Sequence, residues 1–210
     1  ETAKDGIPQN TSDVEERDLS SLPPAPEEPD TTKTPPGIVD ADKAATNGEP
    51  VQLVVFQDYE CVHCADFEKE NAELLKKYVD AGKLDVEYRN LNFLDKATPD
   101  QYSSRAANAA YLVAEQVSAD QFLEYSQEVF THQGTGGLSN QELAEIAGKH
   151  GASVTAEDID ENTYRPMVDV ATRESVTNGV AGTPTMFVDG KRYEEGAFED
   201  MLKKAVDAKK

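Results

Sequence analysis

The sequence predicts an α/β fold with a helical middle, preceded by an acidic, proline-rich arm. Three observations carry this. An apolar, β-branched run, Val51-Gln52-Leu53-Val54-Val55-Phe56, precedes a helical pattern and a second strand-like stretch. The centre of the chain is alanine-rich and carries helix-start signals. The end returns to a strand, a tight turn and a final helix.

Taken in order, residues 1–48 hold 11 Asp+Glu, 4 Lys+Arg and no aromatic residue, and eight of the 11 prolines lie at or before Pro50. Such a stretch buries too little apolar area to offset its ordering entropy, so it reads as a solvated tether. From Pro50 the pattern changes, and Val51 to Phe56 reads as a buried strand. Cys64, Phe67, Leu74, Leu75 and Tyr78 then recur at helical spacing, and Gly82 can end that helix. Leu84 to Leu91 reads as a second strand, and strand–helix–strand at this spacing suggests a parallel βαβ crossover. The middle is helical. Gln101 to Gln116 puts Ala107, Ala110, Tyr111 and Ala114 on one side, and Gln121 to Thr131 carries Phe122, Tyr125 and Val129. Ser139-x-x-Glu142 has the form of a capping box opening a helix to His150, and Thr155-x-x-Asp158 is a looser version. Pro166 suits the first turn of a helix reaching Asn178, with Gly179 beyond it. Thr185 to Val188 is a strand, Asp189-Gly190 a hairpin turn, and Lys191 to Tyr193 the return. A last helix, Phe198 to Ala208, aligns Phe198, Leu202 and Ala205.

The 210 residues carry 41 Asp+Glu against 20 Lys+Arg, a formal net charge of −21. That balance argues against nucleic acid as a partner, because phosphate binding needs clustered Lys and Arg. It also opposes adsorption to an anionic membrane surface. No run of ~18 apolar residues occurs, so this segment contains no transmembrane helix. The chain starts at Glu1 rather than Met, which suggests that something was removed upstream.

The chemistry lies in Cys61-Val62-His63-Cys64, which holds both cysteines of the chain. Cysteines at i and i+3 can close a disulfide when the first sits at a helix start. The first sulfur is then expected to be exposed and the second to face inward. Unpaired N–H groups and the positive end of the helix dipole stabilise a thiolate at that position, and the thiolate is the nucleophile of disulfide exchange. His63, as a neutral donor or a cation, can add to this. Asp58, Glu60, Asp66 and Glu68 flank the motif and work against the thiolate. Read as solvent-exposed charges, each is worth about a few tenths of a kcal/mol after screening. The helix terminus is worth up to ~2 kcal/mol, so the thiolate-favouring effects are expected to win. A purely structural disulfide would close only a four-residue loop, worth roughly 2 kcal/mol. Structural zinc wants four Cys or His ligands, and His132 and His150 lie in another region of the sequence. Copper(I) on two thiolates is a further alternative.

A second constellation, Gly182-Thr183-Pro184-Thr185, stands before the last apolar strand. Proline cannot donate to a ladder, so Pro184 belongs at a strand start or edge; on local grounds the segment reads as an ordinary turn. His132, within Thr131-His132-Gln133-Gly134-Thr135-Gly136-Gly137, lacks the lysine and preceding strand of a phosphate loop and reads as a surface loop. His150 ends a helix, where a cation suits the dipole.

An aromatic-ended strand followed by Asp58-Tyr59-Glu60-Cys61-x-x-Cys64-x-x-Phe67 resembles the active-site segment of the DsbA-like thiol–disulfide oxidoreductases. Val180-x-Gly182-Thr183-Pro184-Thr185-x-Phe187-Val188-x-Gly190 resembles the same family's proline loop and following strand. The resemblance spans roughly Glu49 to Lys210. It is nearest to the exported, often membrane-tethered members of monoderm, actinobacterial-type bacteria. It implies a thioredoxin-like fold with an inserted α-helical domain: an arm at 1–48, the first part of the thioredoxin-like domain at 49–95, the helical insertion at 96–176 and the second part at 177–210. It implies that Cys61 is the exchanging nucleophile, Cys64 the resolving thiol and His63 a tuner of Cys61. Pro184 would be cis and lie against the disulfide, with Thr183 offering backbone groups to a substrate strand. No cofactor or metal is implied. The partners implied are reduced, unfolded exported proteins and a membrane-bound reoxidant, quinone-linked or VKOR-like. The location implied is extracytoplasmic, secreted or tethered upstream of residue 1, and the chain a monomer.

Two departures stand out. Val62 occupies a position where many members have proline. The strand from Val51 to Phe56 lacks the buried acid that thioredoxin-like proteins often carry there, so proton transfer at Cys64 needs water or another group. Disulfide donation is the function expected. The alternatives are a reductase or isomerase, or a redox-inactive peptide-binding or copper-carrier module.

Overall fold

The computed structural model describes residues 2–3, 7–8, 24–97 and 100–209. Most of the first half of the acidic arm, together with Thr98, Pro99 and Lys210, therefore lies outside the described residues; within the arm, Thr2–Ala3 pairs antiparallel with Ile7–Pro8.

A four-stranded sheet organises the chain. Strand β1 (Val51–Gln57) pairs in parallel with β2 (Leu84–Asn90), with Val51 opposite Leu84. On its other side β1 pairs antiparallel with β3 (Thr185–Val188), with Val55 opposite Met186. A two-residue strand β4 (Lys191–Arg192) closes the order β2–β1–β3–β4. The parallel pair needs a crossover, and α1 (Val62–Asp80) supplies it. Gly82, at φ +69°, ends the crossover helix's exit. Asp189 (φ 45°) and Gly190 (φ 83°) make the β3–β4 turn, as Asp-Gly does when both central residues need positive φ.

The segment between β2 and β3 is helical: α2 (Tyr102–Ala114), α3 (Ala119–Thr131), α4 (Asn140–Lys149), α5 (Ala156–Asp160) and α6 (Arg165–Thr177). Capping boxes at Ser118/Gln121, Ser139/Glu142 and Thr155/Asp158 start α3, α4 and α5. The terminal α7 (Phe198–Ala208) shares a core with α1 on one face of the sheet and meets it through an edge-on contact of Phe67 with Phe198.

Strand β1 reads as an unbroken apolar run because both its faces are covered. Val51, Leu53 and Val55 join the main core with α1, α7 and the helical segment, whereas Val54 and Phe56 join a second cluster with Leu91, Val180 and Phe187. That second face departs from expectation. Residues 30–47, read above as solvated tether, lie across it. Ile38 packs on the second cluster, and Pro35 and Ala44 are buried. The Arg89 guanidinium, over the Phe56 ring, donates to the Pro36 carbonyl at 2.7 Å, and Arg192 donates to the Lys33 carbonyl at 3.3 Å. A short apolar complement and main-chain carbonyls suffice here, because the donors come from the folded sheet rather than from the arm.

Candidate active site

The pairing of β1 with β3 builds the site. Antiparallel register sets Thr185 opposite Phe56, so the start of β3 lies beside the end of β1. The loop before Thr185 therefore meets the turn after Phe56, although 119 residues separate Cys64 from Pro184 in the chain. The Thr183–Pro184 peptide bond is cis. The Cys61 sulfur lies 3.5 Å from the Thr183 carbonyl oxygen, which accepts from it in the thiol form.

Cys61 is the N-cap of α1, with extended backbone (φ −80°, ψ 119°), and its sulfur accepts the Cys64 N–H at 3.3 Å. This is the cap role that serine or aspartate usually fills, taken here by a sulfur. Both cysteines are free. The first sulfur is less open than the motif suggested: Cys61 is 6% exposed and Cys64 1%. The reason is the Thr183 loop, which covers the face of Cys61 away from the helix. Val62 is 52% exposed and His63 is exposed, so the motif's outward rim is made by these two residues. His63 contributes its backbone N–H to Cys61, while its ring points away into solvent.

The two thiols are driven apart. Hydrogen bonding from the Cys64 thiol, then from the Thr183 hydroxyl and the backbone N–H groups of Cys64 and His63, outweighs burial and brings Cys61 down to about 5. Burial, then the Cys61 sulfur beside it, holds Cys64 far above the ordinary thiol range. At neutral pH the reduced pair is one thiolate and one thiol.

The acidic surroundings also differ from expectation. Glu60 is half-buried and Asp66 is exposed, but Asp58 is 0% exposed and Glu68 1%. Asp58 accepts from the Ser103 hydroxyl (2.6 Å), the Glu60 N–H (3.0 Å) and the Leu94 N–H (3.0 Å). It thereby ties the motif turn to α2 and to the loop after β2. Glu68 follows Phe67 on the buried stripe of α1, one turn beyond Cys64. That stripe is visible in the sequence through Cys64 and Phe67, and extending it by one position buries Glu68, which in the sequence reads as an exposed flanking charge. The other residue missed is Gln133, whose side chain donates to the Glu60 carbonyl at 3.0 Å from the glycine-rich loop. His132 is half-buried in that loop, and His150 caps α4 and meets Glu128 at 3.2 Å. Among the described residues no group of three or more His, Cys, Asp or Glu side chains comes together to hold a metal ion.

Known proteins resemble this chain in sequence and in fold. The family model described as Thioredoxin matches residues 45–208. Disulfide bond formation protein D of Bacillus subtilis (strain 168) is 24% identical over 169 residues, covering 75% of this chain and 72% of its own. The reduced form of DsbA from Mycobacterium tuberculosis superposes with a TM-score of 0.64 at 28% identity, over 75% of this chain and 82% of that one. MdbA from Corynebacterium matruchotii, a thiol-disulfide oxidoreductase, gives 0.63 at 26% identity, over 75% and 83%. The chain belongs to the thioredoxin family, and within it is a DsbA-like protein disulfide oxidoreductase.

Proposed function

We propose that this chain donates the Cys61–Cys64 disulfide to newly exported proteins. The supporting observation is the environment of the Cys61 sulfur, which caps α1, accepts the Cys64 N–H at 3.3 Å and lies 3.5 Å from the Thr183 carbonyl oxygen. A substrate thiolate attacks Cys61 Sγ and Cys64 leaves. The substrate's second thiolate then attacks its own sulfur in the mixed disulfide, and Cys61 departs as a thiolate. A leaving group with its affinity for protons lowered to about 5 departs readily. The same stabilisation favours the reduced enzyme, which makes its disulfide oxidising. Only a narrow window on Cys61 is needed, since the attacking sulfur approaches along the S–S axis.

In this reading Thr183 offers backbone groups to an extended substrate segment, and Pro184, lacking an N–H, ends that pairing. His63 contributes chiefly through its main chain. Residues 96–176 form the inserted helical domain between the two parts of the thioredoxin-like domain. The site of action is extracytoplasmic, and a membrane-bound reoxidant, quinone-linked or VKOR-like, restores the disulfide. Among the described residues no helix is long and apolar enough to cross a membrane, so a tether would lie outside them.

The test uses a reduced, unfolded substrate whose activity returns on oxidation. Oxidised wild-type protein restores it, and Cys61→Ser abolishes transfer. Survival of transfer in Cys61→Ser would overturn the reading. A reduction potential near that of a reducing thioredoxin, about −270 mV, would favour a reductase instead.

A further inference from the structure

Disulfide exchange leaves a proton problem that the two cysteines do not solve. When the disulfide opens, Cys64 leaves as a thiolate in a site where it is 1% exposed, and burial strongly disfavours that charge. When the disulfide re-forms, the Cys64 thiol has to lose its proton in the same place. Strand β1 brings no acid to the main core: its residues there are Val51, Leu53 and Val55.

Glu68 stands where an acid is needed. It lies four residues after Cys64 on α1, so the two side chains share a face with Cβ atoms about 5–6 Å apart. It is 1% exposed, and its Oε1 is buried without a hydrogen-bond partner. The titratable groups facing it are Tyr88 from β2 and Tyr59 from the turn after β1. Helix α3, packed on α1, presents Ser126 and Tyr125 to Tyr59. No cation is among these groups. The buried Tyr88 hydroxyl lies near enough to hydrogen-bond the carboxyl and favour the carboxylate slightly. Burial, opposed weakly by Tyr88, raises the Glu68 carboxyl to about 7. A buried carboxyl without a counter-charge costs stability, so it calls for a functional reason. Asp58 is not an equivalent candidate, because both its oxygens are engaged by Ser103, Glu60 and Leu94.

We propose that Glu68 is the proton donor and acceptor for Cys64. The inference rests on the oxidoreductase reading above. In donation, a substrate thiolate bonds to Cys61 Sγ and the Cys61–Cys64 bond breaks with its electron pair on Cys64. The Glu68 proton passes to that sulfur, leaving a Cys64 thiol and a Glu68 carboxylate. In recharging, a disulfide-bearing reoxidant is first joined to Cys61. The Glu68 carboxylate then takes the Cys64 proton, Cys64 Sγ bonds to Cys61 Sγ, and the reoxidant's sulfur leaves as a thiolate. Glu68 thus does from the helix what an acid on β1 would otherwise do.

An aromatic disulfide, 5,5′-dithiobis(2-nitrobenzoate), separates the steps. The reduced protein releases one nitrothiolate as Cys61 attacks and a second as Cys64 displaces the first adduct. In the wild type the second release should show an inflection near pH 7. Glu68→Gln should remove that inflection and slow the second release about a hundred-fold above pH 7, leaving the first release unchanged. Glu68→Asp should keep the inflection at a reduced rate. A second release in Glu68→Gln with the wild-type pH profile would overturn the proposal. So would a wild-type second release without an inflection between pH 6 and 8, a result that needs no variant to fold. Failure of the wild type's first release at pH 6 would instead overturn the Cys61 thiolate, and with it the reading on which this inference rests.

Discussion

At the scale of single residues, Asp58 shows how the site's geometry and its electrostatics pull against each other. Its carboxylate accepts three hydrogen bonds from three separate segments, which fixes the turn that carries Cys61. Its burial opposes its own charge, and the Cys61 thiolate nearby adds to that opposition. The repulsion is mutual, so Asp58 stabilises the turn while disfavouring the thiolate that the turn presents. Asp58→Asn separates the two effects. The amide keeps one acceptor for Ser103 and Glu60 but turns a donor toward the Leu94 N–H, leaving a buried group unsatisfied at about 1–3 kcal/mol. The melting temperature should fall by roughly 2–4 °C per kcal/mol for a protein of this size. The Cys61 titration, followed by ultraviolet thiolate absorbance, should move to lower pH because a negative charge has gone. A midpoint that moved upward would contradict this account.

At the scale of elements, what the sequence revealed and what it hid follow from the range of the interactions. Helix α1, strand β2, the capped helices α4 and α5 and the Asp189-Gly190 turn were legible because caps, turns and apolar periodicity are written in neighbouring residues. So were Cys61, Cys64 and the Thr183–Pro184 step as motifs. Their proximity was not, because it comes from the register of β1 against β3, and only the resemblance to DsbA-like proteins supplied it in advance. The burial of Asp58 depends on Ser103 and Leu94, far away in sequence, and so left no local trace. The segment at 30–47 was the largest surprise. It has no periodicity, and much of what holds it belongs to the sheet: Arg89, Arg192, and glycines that leave room for its backbone. A Cβ at Gly190 would come within 2.1 Å of the Val39 carbonyl oxygen, and one at Gly179 within 2.6 Å of the Asp30 carbonyl oxygen, both at positive φ. Arg89→Ala removes the bond to Pro36 and the cation over Phe56. It should cost about 1–3 kcal/mol and raise hydrogen exchange in residues 30–47, with disulfide transfer unchanged. Exchange in that segment at the wild-type rate would show that Arg89 does not hold it.

At the scale of the whole molecule, the displaced Cys61 titration links fold stability to redox state. A folded value of about 5 stands against an ordinary value of 9.0, so this is a depressed acid. Its contribution to the stability of the reduced form is fully present above pH 9, declines as pH falls and is lost as pH passes through about 5. The oxidised form has no such group. Glu68, raised to about 7, acts with the opposite sign: its neutral form is favoured, so its contribution is lost as pH rises through about 7. Glu68 is present in both redox forms, however, and largely cancels when they are compared. The unfolding free energy of the reduced protein relative to the oxidised protein should therefore shrink steadily between pH 8 and pH 5. Denaturant unfolding of both forms at several pH values measures that difference directly. A flat difference would mean that the folded protein does not stabilise the thiolate. By the thermodynamic cycle joining folding to disulfide formation, this stabilisation is what makes the disulfide oxidising. The same unfolding curves therefore test the fold's share of the chemistry without any substrate present.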